Sequence, residues 1–149
     1  LDDFGLEQTL EWFALQFTRQ TGIDVHFDGR MADEFFPAED GIHVYRIVQE
    51  ALSNVARHSN CDEAWVVLQE SGGELNLEIR DHGAGFDPRA EMDRASGEGV
   101  GLMGMRERAA HLQGTLAIES APGKGTAVRV RLPVKRSTPR PPAEKVIQK

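Results

Sequence analysis

The chain has 149 residues, 40% of them hydrophobic and 28% charged, with a formal net charge of −7. This length and composition suit one globular domain and exclude a disordered or fibrous chain. No window approaches 18 consecutive apolar residues, which excludes a membrane-spanning segment. The acidic start Leu1-Asp2-Asp3 is not a signal peptide, and a first residue other than Met leads us to expect a piece cut from a longer protein.

The charge is distributed unevenly. Residues 134–149 hold five Lys or Arg and one Glu, a net charge of +4, and since the whole chain carries −7, residues 1–133 carry −11. A body this acidic repels phosphate backbones, so we expect no nucleic-acid partner. The single cysteine, Cys61, excludes an internal disulfide and a Cys-based zinc site. It favours a reducing, cytoplasmic location, for a parent protein that is either soluble or membrane-anchored.

Hydrophobic periodicity predicts three helices and five strands. Apolar residues recur at helical spacing in the helices and alternate in the strands, with turns that contain Gly or Pro between them. In chain order we predict a helix at 6–21, a strand at 23–27, a helix at 38–59, strands at 64–70 and 74–81, a helix at 102–113, and strands at 115–120 and 126–132.

Two segments lack such periodicity. Residues 82–101 are polar and rich in glycine, and we predict a long loop there, which in a compact domain is usually functional or mobile. From Pro133 the composition shifts to Pro, Lys and Arg, so we predict a domain at 1–133 and a disordered basic tail at 134–149. Strand pairs joined by tight turns are antiparallel neighbours, which favours an α/β sandwich over a doubly wound parallel sheet.

The second predicted helix carries a polar row on one face. Glu50, Asn54 and His58 lie at positions i, i+4 and i+8 and therefore above one another. A carboxylate and a carboxamide one turn apart suit Mg²⁺, which takes few oxygen ligands from protein and the rest from water and phosphate. The alternative is an ordinary solvated helix face.

The segment Asp81-His82-Gly83-Ala84-Gly85-Phe86 directly follows a predicted strand. An Asp at a strand end, followed by two glycines, lets the backbone approach a flat ligand while the carboxylate accepts a hydrogen bond from an amino group. Such a charge-assisted bond contributes roughly 1.5–3 kcal/mol. The alternative is a turn that begins at the Asp and continues through flexible glycines.

A third candidate is the glycine-rich segment that opens the third predicted helix. Free backbone N–H groups at a helix start attract phosphate, and glycine removes side-chain bulk there. The spacing also matches the dinucleotide-binding fingerprint G-x-G-x-x-G, but that fingerprint requires a strand immediately before it, and residues 87–98 do not form one. The segment comprises Gly99, Val100, Gly101, Leu102, Met103 and Gly104.

With these three clusters in order, the sequence resembles the ATP-binding catalytic domain of sensor histidine kinases, in the superfamily that also holds gyrase, Hsp90 and MutL. The nearest subfamily looks like the nitrate-sensor type. The matching motifs are the N box at 49–58, the G1 box at 81–86 and the G2 box at 99–104, followed by the run Met-Arg-Glu-Arg-Ala at 105–109. The segment at 1–6 also resembles the stretch that follows the dimerisation helices in that subfamily.

This resemblance covers residues 1–133 and implies a fold as well as a function. The fold is the Bergerat fold, a two-layer α/β sandwich whose mixed, mostly antiparallel sheet is covered on one face by three helices. The ligands are ATP and Mg²⁺. Asp81 would bind the adenine amino group with support from Thr126. Asn54 would hold Mg²⁺, and Glu50 would be the catalytic residue that orients or polarises the attacking group near the γ-phosphate.

The remaining motif residues would surround the nucleotide. Arg57 and His58 would lie near the phosphates, Gly83 and Gly85 beside the base, and the G2 box against the phosphate chain. Residues 87–98 would form a lid over ATP. Since phosphoryl transfer depends largely on positioning and charge neutralisation, the lack of a covalent nucleophile is no objection.

Two features depart from the family pattern. The G1 box usually has Asn where this chain has His82, so the role of the His82 side chain stays open. One alternative is that it covers the edge of the adenine ring. The phosphoacceptor of the subfamily is a His followed by an acidic residue, and none of the five histidines here has such a neighbour. We interpret His26, His43 and His111 as surface or packing residues.

We therefore expect the acceptor helices to be absent, and the isolated domain to be monomeric and to bind ATP without phosphorylating itself. Its partners would be the dimerisation domain of the parent kinase, which carries the phosphoacceptor, and a response regulator.

Two further functions share this fold. A serine kinase of the anti-sigma-factor type works as a free-standing domain, which the segment at 1–6 and the run at 105–109 argue against. A non-catalytic module would use its nucleotide pocket only to control protein contacts, and the presence of both Glu50 and Asn54 argues against it.

Overall fold

The computed structural model describes residues 5–31, 36–93 and 98–134, with the backbone alone at 91–93 and 98–100. The helix at Ala38–Asn54 continues as a π-helical turn at Val55–Ser59. Among the described residues, none of the helices combines the length and the apolar character that a membrane span needs. In chain order the elements are α1 (Gly5–Thr21), β1 (Asp24–Arg30), α2 (Ala38–Asn54), β2 (Glu63–Ser71), β3 (Glu74–Asp81), α3 (Pro88–Asp93), α4 (Glu98–His111), β4 (Thr115–Ser120) and β5 (Thr126–Pro133).

The five strands form one sheet in the order β1-β2-β3-β5-β4. β1 pairs with β2 in parallel, and the three other pairs are antiparallel. The hairpin between β2 and β3 turns at Gly72-Gly73, where both residues have positive φ and glycine avoids the strain of a side chain. The mixed, mostly antiparallel sheet is therefore confirmed.

The core lies between the sheet and the helices on one of its faces. In β3, Leu75, Leu77 and Ile79 alternate with polar residues, and each is at most 2% exposed. α1 packs on β1, α2 on β3, and α4 on β4 and β5. The other sheet face carries polar and aromatic side chains such as Trp65 and Arg80. The two-layer arrangement is confirmed.

The segment predicted as a loop at 82–101 is partly helical, so that prediction was wrong at α3 and at the start of α4. α3 begins at Pro88, whose fixed φ suits the first helical position, and Asp87 Oδ1 accepts a hydrogen bond from Arg89 N–H at 3.0 Å. α4 begins at Glu98 rather than at 102, because packing against α2 outweighs the poor helix propensity of its glycines. Residues 94–97 of the expected lid, and 135–149 of the expected tail, lie outside the described residues.

The predicted helix at 38–59 does not remain α-helical to its end. Its last five residues form the π-helical turn, within which Ser59 Oγ donates to the carbonyl of Val55 at 2.6 Å. Asn60 then adopts the left-handed conformation with φ 58°, which ends the helix. Short π-helical turns of this kind occur frequently at functional sites.

Candidate functional site

A cavity of about 280 Å³ lies between the end of α2 with its π-helical turn, strands β3 and β5, and the start of α4. Its volume lies just below the usual range of ligand pockets, roughly 300–1,000 Å³. It is lined by side chains from every cluster that the sequence singled out. The lining residues are Ala51, Asn54, Val55, His58, Ser59, Ile79, Asp81, Gly85, Phe86, Leu102, Thr126 and Val128.

Asp81 is the most buried charged residue of this cavity. It is the last residue of β3, pairs with Thr126 across the sheet, and is only 4% exposed. Burial raises its pKa, and the backbone N–H of Gly83, the charge of His82 and the backbone N–H of Thr126 oppose that rise. Gly83 N–H donates to Asp81 Oδ1 at 2.7 Å, which fixes the carboxylate. A fixed carboxylate among apolar walls can accept a hydrogen bond from a ligand amino group.

The glycines after Asp81 allow close backbone packing. A Cβ on Gly83 would overlap the carbonyl oxygen of Ser59, and the next residue, Ala84, donates its N–H to that same oxygen at 2.7 Å. Gly85 has φ +69°, and a Cβ there would overlap the carbonyl oxygen of Ala121. The turn therefore begins at Asp81, as the alternative expected, but its glycines are packed against neighbouring backbone and are not merely flexible.

Ser120 holds two residues of the cavity lining, Phe86 and Thr126, although no sequence pattern singled it out. Its Oγ accepts a hydrogen bond from Phe86 N–H at 2.9 Å and donates to the carbonyl of Gly125 at 2.8 Å. Thr126 Oγ1 lies 2.8 Å from the same hydroxyl. One serine thus ties the loop after β3 to the turn before β5. A serine at the end of a strand is too common a feature to predict such a role.

Two residues of the polar row, Glu50 and Asn54, converge on the guanidinium of Arg57. Arg57 Nη2 donates to Asn54 Oδ1 at 2.6 Å and lies 3.4 Å from Glu50 Oε2. Two oxygens that face one guanidinium nitrogen also fit a small dication with oxygen preference, so the donor set suits Mg²⁺. Such contacts also occur on ordinary solvated helix faces, so the magnesium site stays a prediction.

The start of α4 brings only part of the third cluster to the cavity. Leu102 is 1% exposed and lines it, and Gly101 lies so close to α2 that a Cβ would overlap Glu50 Oε2. Gly99 and Val100 belong to the first turn of the helix, whose N–H groups lack partners within the helix. Met103 is 49% exposed and does not line the cavity.

His82 is exposed and lies outside the cavity lining. Its ring packs edge-on against Trp65 with 5.1 Å between the ring centroids. Since Trp65 lies on the sheet face that the helices leave open, a cover for the adenine edge does not fit this placement. His43 and His111 pack against each other between α2 and α4, with 4.5 Å between their rings.

Residues 39–136 match the protein family described as histidine kinase-, DNA gyrase B- and HSP90-like ATPases. The signal transduction histidine-protein kinase/phosphatase DegS of Brevibacillus brevis is 36% identical over 134 residues, which is 90% of this chain and 34% of that protein. The sensor histidine kinase MctS of Rhizobium johnstonii is 36% identical over 140 residues, 93% of this chain and 30% of that protein. The chain thus spans about a third of the length of these relatives.

Solved structures share the fold. The histidine kinase domain of the blue-light activated histidine kinase from Erythrobacter litoralis EL346 superposes with a TM-score of 0.72 at 19% identity, over 89% of this chain and 62% of that one. Full-length ShkA, solved in complex with AMPPNP, superposes with a TM-score of 0.68 at 16% identity, over 87% of this chain and 29% of that one.

Proposed function

This chain belongs to the histidine kinase-, DNA gyrase B- and HSP90-like ATPase family, and from that premise we propose that it is the ATP-binding catalytic domain of a sensor histidine kinase. Its γ-phosphate acceptor would be a histidine on a separate dimerisation domain, from which the phosphoryl group passes to a response regulator. We place this chemistry in the cytoplasm, where ATP and reduced thiols are both available.

The observation that carries the proposal is the fixed, buried carboxylate of Asp81 in a cavity of about 280 Å³. A cavity of this size suits the base of a nucleotide rather than the whole molecule. Adenine has an amino group that donates to a carboxylate, and its flat rings suit walls formed by Ile79, Val128 and Leu102. The phosphates would then extend toward His58 and the first turn of α4.

Asn54 would hold Mg²⁺, which supplies charge neutralisation to the phosphates when bound, with the catalytic Glu50 one helical turn away. Arg57 contacts Asn54 Oδ1 and Glu50 Oε2 in this structure. When Mg²⁺ takes its place, the guanidinium would be free to contact the phosphate chain. The first-turn N–H groups of α4 would bind phosphate oxygens, as helix N-termini generally do. Glu50 would orient the incoming imidazole, since its carboxylate lies against Gly101 in the first turn of α4, where the phosphates would bind.

The direct test is transfer of labelled phosphate in trans. With [γ-³²P]ATP and Mg²⁺, we expect this chain to label the histidine of a phosphoacceptor segment from a related sensor histidine kinase, and to leave itself unlabelled. The product should be stable in alkali and labile in acid, as phosphohistidine is. Labelling of serine in a partner would instead indicate a serine kinase of the anti-sigma-factor type. ATP binding without any transfer would indicate a non-catalytic module.

Gly101→Ala and Gly104→Ala form a matched pair that tests the position of Glu50. Both residues lie in α4, so each substitution should favour the helix by roughly 1 kcal/mol. A methyl on Gly104 meets nothing within 4 Å, whereas one on Gly101 overlaps Glu50 Oε2. We expect Gly101→Ala to lose phosphotransfer roughly tenfold or more, since positioned acid–base groups contribute at least that much, and Gly104→Ala, also in the G2 box but without this overlap, to lose less. Equal transfer rates for both variants would contradict the assignment of Glu50.

A further inference from the structure

Three potential metal ligands meet on the open face of the sheet, where β1 and β2 begin. Asp24 and His26 are two residues apart on β1 and so point to the same face, and Glu63 is the direct register partner of Asp24 on β2. His26 Nε2 lies 2.7 Å from Glu63 Oε2 and 3.6 Å from Asp24 Oδ2, and the three ligand atoms lie within 4.8 Å of one another. We propose that these residues bind Zn²⁺ or a similar first-row transition dication.

The charges in this cluster favour a cation, although both carboxylates are exposed, Asp24 at 65% and Glu63 at 48%. Like charges placed directly opposite each other on neighbouring strands destabilise the pair, and Asp24 and Glu63 are placed that way. Within the described part of the chain, the salt-bridge partner of both carboxylates is His26, whose imidazole offers at most one positive charge to two carboxylates. A dication would balance both.

The imidazole is oriented by packing from outside the cluster. The ring of His26 stacks on Trp65, its register partner on β2, with 5.5 Å between centroids and 29° between planes. The guanidinium of Arg80 lies over the same indole, 5.4 Å from its centroid. The indole therefore helps to hold the ring on the sheet with Nε2 toward the two carboxylates, and less ordering is needed when a metal binds.

The spacing suits a four-coordinate ion. Zinc bonds to nitrogen and oxygen of about 2.0–2.2 Å place two ligands of a tetrahedral ion roughly 3.3–3.6 Å apart. The His26–Asp24 distance of 3.6 Å already fits, and the His26–Glu63 distance of 2.7 Å must open slightly. Three protein ligands leave one position for water. The imidazole nitrogen favours zinc, copper or nickel over Mg²⁺.

The site is separate from the nucleotide pocket, because none of its residues lines that cavity. Its effect would be on the fold. β1 is an edge strand, and among the strands that the structure describes it pairs with β2 alone. A metal that bridges the two strands would stabilise the folded chain, since any ligand that binds only the folded state does so by mass action.

Calorimetric titration of the full chain with ZnCl₂ tests the proposal, together with the melting temperature with and without zinc. We expect His26→Gln, Asp24→Asn and Glu63→Gln each to weaken zinc binding at least tenfold and to abolish the rise in melting temperature. His82→Gln is the matched control, because it removes the other histidine that contacts Trp65 and should bind zinc as the wild type does.

A spectroscopic measurement locates the ion independently of stability. In a Trp12→Phe background Trp65 is the only tryptophan, and we expect Cu²⁺ to quench its fluorescence with His26 present but not in His26→Gln. Equal zinc affinity in the wild type and in His26→Gln, or equal weakening in His82→Gln, would overturn the proposal.

Discussion

Asp81→Asn is expected to lower the affinity for ATP by about 10- to 150-fold, equivalent to the roughly 1.5–3 kcal/mol of a charge-assisted hydrogen bond. The reason is geometric as well as electrostatic. Gly83 N–H fixes the carboxylate through Oδ1, so in the variant the amide oxygen is expected to keep that bond. The amide nitrogen would then face the adenine amino group, and two donors would oppose each other.

The same variant should not lose stability, and this separates a binding role from a structural one. Burial raises the pKa of Asp81, so the folded state holds its proton more tightly than the unfolded state. The stability contributed by this group is therefore present below about pH 4, near the unfolded pKa, and is lost as the pH rises through the folded pKa. At neutral pH the buried, ionised carboxylate destabilises the folded state, and asparagine, which carries no charge, removes that cost.

We therefore expect the melting temperature of Asp81→Asn at pH 7 to equal or exceed that of the wild type, with a smaller advantage at pH 4. Asp62→Asn, at an exposed position, is the control and should change neither quantity. Calorimetry with Mg-ATP and differential scanning calorimetry supply the two readouts. Wild-type affinity in Asp81→Asn would show that the base lies elsewhere.

Gly85→Ala is expected to destabilise the fold by about 2–4 kcal/mol. Gly85 has φ +69°, which alone strains a residue with a side chain, and the added methyl would overlap the carbonyl oxygen of Ala121. Since that oxygen belongs to backbone, relief requires the loop after β3 and the turn before β5 to separate. Phe86 N–H and Ser120 Oγ, which join the two segments at 2.9 Å, would part as well.

Gly72→Ala is the matched control for this prediction. Gly72 also has positive φ, at +60°, but a Cβ there meets nothing within 4 Å. Its substitution should cost about 1 kcal/mol, from backbone conformation alone. Denaturant unfolding measures both variants, and equal losses of stability in the two would contradict the role of close packing at Gly85.

Much of the architecture could be predicted because the apolar residues that recur at helix or strand spacing in the sequence are also the ones that pack in the core. The strand at 74–81 alternates apolar and polar residues, and its final Asp was recognisable as a polar group at the end of a buried strand. Thr126 begins β5 directly beside it, and because these strands are not consecutive, it was the family resemblance that predicted this pairing. The helix at 6–21 follows from its apolar stripe.

The remainder depends on contacts that no local pattern records. The hydroxyl of Ser120 bonds three partners that lie up to 34 residues away in sequence. Arg57 joins Asn54 to Glu50 at ordinary same-face helical spacing, but that spacing alone does not show that one guanidinium nitrogen contacts both oxygens. The start of α3 had a readable cause in Asp87 and Pro88, but the glycine-rich composition around them concealed it.

The π-helical turn at Val55–Ser59 has an evolutionary consequence. Such a turn holds one residue more than an α-helical turn, and here its last carbonyl receives the N–H of Ala84 at 2.7 Å. Deleting one residue would restore regular winding and withdraw that carbonyl from the loop it anchors. An alignment of relatives should therefore show substitutions at exposed positions such as Ala56, yet no gap between Asn54 and Asn60.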